Sequence, residues 1–188
     1  MVRPIRSEEE ITRLTKDDAW MMQVLGAAEK LDLPDWWIGA GFLRNKVWNY
    51  MEGNDSEQTR DVDLVYFNGQ DVTPETDWAY DEKMRAEHPF AEWEVRNQAR
   101  MHYKNGLEPF TSTADGIAHW TETATSVAVR LQKGTLEYLF CYGTGDLFDL
   151  IARPTPHCKT EAMLNIFRQR VAEKRWKEKW PDLRVITE

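Results

Sequence analysis

Asp61-Val62-Asp63 is the stretch whose residue types and spacing best suit chemistry. In an extended strand side chains alternate faces, so both aspartates share one face, roughly 6.5–7 Å apart at Cα. Aspartate is disfavoured in strands. Two carboxylates about 5 Å apart repel by about 3 kcal/mol at an effective dielectric near 20. Mg2+ or Mn2+ turns that repulsion into ligation, because a hard cation of this kind takes one or two carboxylates plus phosphate oxygens and water. The competing reading leaves Asp61 ending a loop and Asp63 solvated or paired with Arg60.

Upstream, Ile38-Gly39-Ala40-Gly41-Phe42-Leu43-Arg44-Asn45 has the form of a strand, a glycine turn and a helix start. Gly39 and Gly41 let backbone N–H groups approach an anion, and the helix dipole adds to the attraction. Arg44, one turn in, is placed to give the same phosphates a charge-assisted hydrogen bond. An ordinary tight turn is the alternative for this motif alone. A glycine turn followed by a DxD strand sets a phosphate cradle and metal ligands on neighbouring strands.

Glu94 lies on a third strand expected over Glu92 to Asn97. Asn97 and Arg100 have two readings, hydrogen bonding to ligand or a structural polar pair. His88, His102, His119 and His157 are scattered without ligand spacing. Cys141 and Cys158 form no CxxC and have no neighbouring base, which argues against a zinc site, a disulfide framework and thiol catalysis. Thr111-Ser112-Thr113 is a helix cap, with phosphate binding as the minor alternative. Arg168, Arg170, Lys174, Arg175, Lys177 and Lys179 make a basic C-terminal helix beside Trp176 and Trp180. It contacts an acidic acceptor such as RNA, or is the solvated face of a helix packed through Met163, Ile166, Phe167 and Val171.

The elements that must position these residues follow from local pattern. Ser7-Glu8-Glu9-Glu10 is a capping box. A second helix starts near Asp17 or Asp18 and ends before Pro34. Trp36-Trp37-Ile38 is a buried strand closed by Gly39. A helix from Gly41 puts Leu43, Val47, Trp48 and Met51 on one face, closes over Met51 to Asp55, and gives way to a polar loop to Arg60. Asp61 to Phe67 is the clearest strand. Thr73-Pro74 caps a helix running to about Glu87. Thr113 to Trp120 is a short helix. Val127 to Leu131 and Leu136 to Tyr142 form a hairpin. A short helix spans about Asp146 to Ile151, and a long one about Lys159 to Lys179. The sum is an α+β (α/β) chain with a small mixed sheet flanked by helices and an extra C-terminal hairpin and helices.

The chain has 188 residues, 41% apolar and 30% charged, which suits one globular domain over 1–188. No apolar run approaches the roughly 20 residues of a membrane span, and the first ten residues lack the apolar stretch of a secretory signal. A reducing cytoplasm is the expected location. A formal charge of −8 argues against general attraction to nucleic acid.

Trp36 to Asn45 with Val47-Trp48 resembles the opening motif of a bacterial family of predicted nucleotidyltransferases in the DNA polymerase β-like superfamily. Arg60 to Phe67 resembles its acidic strand, and Val95 to His102 a third block. Pro109 to Thr113 through Trp120 to Thr125 resembles a fourth, with Thr121 where proline is expected. Tyr142 to Phe148 and Arg153-Pro154 extend the likeness, which covers about residues 20 to 181. The resemblance implies a nucleotidyltransferase fold and metal-dependent transfer of a nucleotidyl group from an NTP to an acceptor (a small molecule, RNA or protein). It makes Asp61 and Asp63 the metal ligands and Gly39, Gly41 and Arg44 the triphosphate site. The superfamily's usual third acid on a neighbouring strand makes Glu94 the candidate to complete the catalytic triad, the alternative being an exposed strand residue. A catalytically weak nucleotide-binding module on the same fold is the alternative.

Overall fold

Short apolar runs at 37–39, 61–66 and 127–132 become the middle of a five-stranded mixed sheet, in the order β3-β2-β1-β4-β5. The computed structural model describes residues 3–54 and 59–187. Most of the polar loop expected before Arg60, with Asp55, lies outside them. The strands are β1 Trp37–Gly39, β2 Asp61–Tyr66, β3 Glu92–Asn97, β4 Val127–Gln132 and β5 Thr135–Phe140. β1 runs antiparallel to β2 and β4, and β2 pairs in parallel with β3.

One face of this sheet is covered by α2 (Ala19–Leu31), α3 (Gly41–Glu52) and α4 (Pro74–Glu87), with α1 (Glu8–Lys16) behind them. Ile38, Val62, Leu64, Tyr66 and Val95 join Leu25, Leu43, Val47, Trp48 and Met84 in one buried cluster. Local chemistry sets the helix ends. Ser7 Oγ accepts from the Glu10 N–H at 3.3 Å, and the Glu10 carboxylate accepts from Arg6 N–H at 2.7 Å, one residue before the expected partner. Asp18 caps α2 by accepting from Met21 N–H. Gly53, at φ 78°, ends α3 in the left-handed conformation that glycine adopts without a Cβ penalty.

The opposite face is only partly covered. A 3-10 segment, Gln98–Asn105, and α5, Thr113–Ala118, lie over its β3 and β4 sides. There Ile117 and Trp120 pack on Trp37, Val65 and Ala128. The rest of that face, around Asp61 and Asp63, opens into a cleft.

The C-terminal third departs from expectation twice. The helix expected over 146–151 is one turn, α6 Gly145–Phe148, because Ile151–Ala152 forms β6 and pairs with β7, Arg184–Val185. The single helix expected over 159–179 is two. α7 spans Glu161–Glu173 and α8 spans Trp176–Lys179, with Arg175 between them at φ 52°. That break lets Trp176 and Trp180 turn inward onto Trp48, at ring distances of 6.0 and 4.9 Å. An unbroken helix would carry both away from the core. Of the four residues expected to pack α7, only Phe167 is buried, and Ile166 is 47% exposed.

Candidate functional site

The parallel register of β2 and β3 sets Asp63 beside Glu94 and Asp61 beside Glu92. On the other side the antiparallel register sets Asp63 against Gly39. Paired residues on neighbouring strands project to one face. Asp61, Asp63 and Glu94 therefore point together into the uncovered cleft, which they line. Burial, then the charges of Glu94 and Asp61, push the Asp63 carboxyl above the ordinary carboxylate range. Glu94 is 55% exposed and pairs with Arg96 at 3.1 Å. Among the described residues no three His, Cys, Asp or Glu side chains form a ready ligand set.

The turn from β1 into α3 forms the next wall. Ala40 sits at φ 55°, ψ −127°, a conformation costly for any residue with a Cβ, of order 1–3 kcal/mol. No side chain caps the helix that follows, so the N–H groups of its first turn depend on another acceptor. Gly41 and Asn45 line the cleft beside this turn. Gly39 does not; a Cβ there would lie 2.4 Å from the Trp120 ring. Its glycine is required by the indole that packs over it.

Arg44 is buried at the cleft floor. Its guanidinium donates to Thr125 Oγ1 at 2.6 Å and to Asn45 Oδ1, and stacks over Trp176 at 4.5 Å. Burial pushes it down to about 10, with Arg170 adding to the fall and Glu122 and Asp63 opposing it. From α7, Arg170 and Lys174 reach the same cleft. Arg170 donates to Glu122 Oε1 at 2.7 Å, while the buried Oε2 of Glu122 has no hydrogen-bond partner. The cleft measures about 490 Å³. Asp61, Asp63, Glu94 and Arg96 line it from the sheet, Arg44 from α3, and Arg170 and Lys174 from α7 and its C-terminal end, with Phe110, His119, Trp120 and Glu122 also in the lining. A hollow of about 600 Å³ adjoins it on the β3 side, sharing Asp61, Asp63, Glu94, Arg96 and Lys174.

A family model described as a nucleotidyltransferase matches residues 26–185. The chain belongs to this nucleotidyltransferase family. It is also similar to a solved structure described as revealing a CCA-adding enzyme head domain, at 29% identity and a TM-score of 0.87, over 97% of each chain. A second solved structure, a tRNA-processing enzyme (apo form I), is 15% identical with a TM-score of 0.47, over 90% of this chain and 44% of that one. No curated protein matches. The α+β fold expected from the sequence is the nucleotidyltransferase fold.

In this nucleotidyltransferase, Asp61, Asp63, Glu94, Gly41 and Arg44 gather at one cleft. Asn97 and Arg100 are not among the residues that line it. Asn97 is fully buried. Its Oδ1 accepts from Asn68 and Ala99 N–H, and its Nδ2 donates to the carbonyls of Asn68 and Asp71. Arg100 is bound through Nε and Nη2 to the buried Asp77. Both fasten the end of β3 to α4 and the loop before it.

Other cleft residues carried weak sequence signals. Glu122 is a lone acid in a Thr-rich run, and nothing local marks it as buried. Arg170 and Lys174 lie four apart in a basic run, so a shared direction was readable but not the surface they face. His119 and His157 stack at 3.7 Å although 38 positions separate them in the chain. Burial pushes the Cys141 thiol up to about 11, which agrees with an inert thiol. Among the described residues no helix is long and apolar enough to cross a membrane.

Proposed function

We propose that this chain transfers a nucleotidyl group from an NTP to an acceptor, using a divalent cation held by Asp61 and Asp63. The observation that carries the reading is the convergence of two strand aspartates and the cations Arg44, Arg170 and Lys174 on one cleft. The donors suit Mg2+ or Mn2+. Asp63 is a carboxylate held above its ordinary range by burial and two neighbouring acids, and a cation relieves all of these. Two carboxylates leave room for phosphate oxygens and water in the coordination shell. When bound, the cation supplies charge neutralisation and polarisation at the α-phosphate.

The uncapped first turn of α3 donates N–H groups to phosphate oxygens, and Arg44 adds a charged donor beneath them. An acceptor oxygen forms a bond to the α-phosphorus as the bond to the bridging oxygen of the β-phosphate breaks. Pyrophosphate leaves, and the acceptor proton passes to Glu94, the exposed carboxylate beside Asp63. In-line geometry brings the acceptor from the side away from pyrophosphate. Likeness to a CCA-adding enzyme head domain puts a CCA-receiving acceptor first among those to test.

The ion pair of Glu94 with Arg96 favours a second reading, a nucleotide-binding module with weak turnover. Incubation with α-labelled NTPs, Mg2+ or Mn2+, and mixed RNA, protein and small-molecule acceptors separates the two. Incorporation abolished in Asp61→Asn and Asp63→Asn supports transfer. Binding without incorporation supports the module. Absence of any NTP binding with either metal overturns both.

A further inference from the structure

Arg170 of α7 and Lys174, the residue that caps its C-terminal end, stand one helical turn apart and line the same cleft as the acids. Neither position follows from the packing of α7, whose buried side chain is Phe167. Two other contacts hold them there. Glu122, fully buried, accepts from Arg170 Nε at 2.7 Å. The left-handed Arg175 ends the helix at Lys174, so that Trp176 and Trp180 lock into the core just behind it. With Arg44 this makes three cations around Glu122, which has a second oxygen without a hydrogen-bond partner. Asp63 is the other carboxylate whose charge reaches Arg44 and Lys174. Burial, then the like charges of Arg170 and Arg44, hold the Lys174 ammonium below its ordinary value, with Asp63 and Glu122 opposing them. A wall of this kind is stabilised by an anion that carries more than one charge and offers several acceptor oxygens.

We infer that α7 is the polyphosphate-reading wall of the nucleotide site: Arg170 and Lys174 take the β- and γ-phosphates, and Glu122 positions Arg170 to do so. The inference rests on the proposed nucleotide function and adds the source of its preference for triphosphates. It also assigns the basic helix to the nucleotide and not to an RNA acceptor.

The test is titration of the full chain with ATP, ADP and AMP in the presence of Mg2+, AMP being read by displacement, alongside a 20-nucleotide RNA. Lys174→Gln lies on an exposed position and leaves the fold intact. It is expected to weaken ATP binding by about tenfold, since a charge-assisted hydrogen bond is worth that much, and to leave AMP within about twofold. Arg170→Gln is expected to act in the same direction, with Arg170→Lys recovering part of the loss. Glu122→Gln, which leaves both cations in place, is expected to lower ATP affinity less than Arg170→Gln does. A folded Lys174→Gln that keeps the wild-type ratio of ATP to AMP affinity overturns the inference. So does a variant that loses RNA while holding ATP unchanged. A wild type that binds no nucleotide overturns this wall together with the proposed function, whereas failure of the wall alone leaves wild-type ATP binding intact.

Discussion

Asp63 sits where burial and two like charges all oppose its ionisation. Its folded-state value is raised above the unfolded one, so in the window between them the folded chain holds more protons. Stability therefore falls as pH rises through that window and stays lower at neutral pH. Asp63→Asn is expected to raise the melting temperature at pH 7 without divalent cation, by about 2–4 °C for each kcal/mol of repulsion relieved. It should also flatten the dependence between pH 4 and 7. Added Mg2+ should stabilise the wild type and not the variant, and thermal scans across pH with and without the metal check all three outcomes. Gly39 makes a different kind of demand. In Gly39→Ala the new Cβ meets the Trp120 ring at 2.4 Å. Overpacking of this kind costs about 1–3 kcal/mol, and the loss should shrink in a Trp120→Leu background because the two changes share one contact. Denaturant melts of the four members of that cycle measure it.

Among the elements, the junction of β3 with α4 is held by buried polar groups. Asp77, fully buried, accepts from Tyr66 Oη at 2.8 Å, from Asn97 N–H and from Arg100. Arg100→Ala leaves that carboxylate short of its counter-charge and is expected to cost about 3–5 kcal/mol. Affinity for ATP per folded molecule should not change, because Arg100 lies outside the cleft. Denaturation and nucleotide titration on the same sample distinguish this from a ligand role. Elements with a local signature were legible in the sequence. The acidic strand showed itself by alternation, α4 by Thr73-Pro74, and the glycine turn by its spacing. What escaped depends on partners distant in the chain. Glu94 is a candidate from the sequence, but its place beside Asp63 comes from a parallel pairing across an intervening helix that no local pattern shows. Asn97 satisfies four backbone groups that no strand pattern announces. The break at Arg175 exists because Trp176 and Trp180 find Trp48 more than 120 positions away.

At the scale of the whole molecule, a net charge of −8 coexists with a cleft that gathers cations on one wall. The acidic exterior repels polyanions at long range, and the site attracts one at short range. The sheet carries the acids as fixed groups on paired strands. The cations come from α3, anchored in the core, and from α7, attached through Phe167, Glu122 and the two tryptophans behind it. Ligand that draws the two walls together therefore works mainly against the lightly packed one.

Arg44 touches this arrangement from below, with its guanidinium 4.5 Å from the Trp176 ring, 5.5 Å from Trp48 and 5.8 Å from Trp180. A positive charge beside an indole changes the energy of the light it emits. All three rings are screened from water, so their glow responds to that charge and not to solvent. Under the proposed function, nucleotide contact with Arg44 is expected to shift the colour of the protein's own fluorescence, and an emission titration with ATP and Mg2+ checks it.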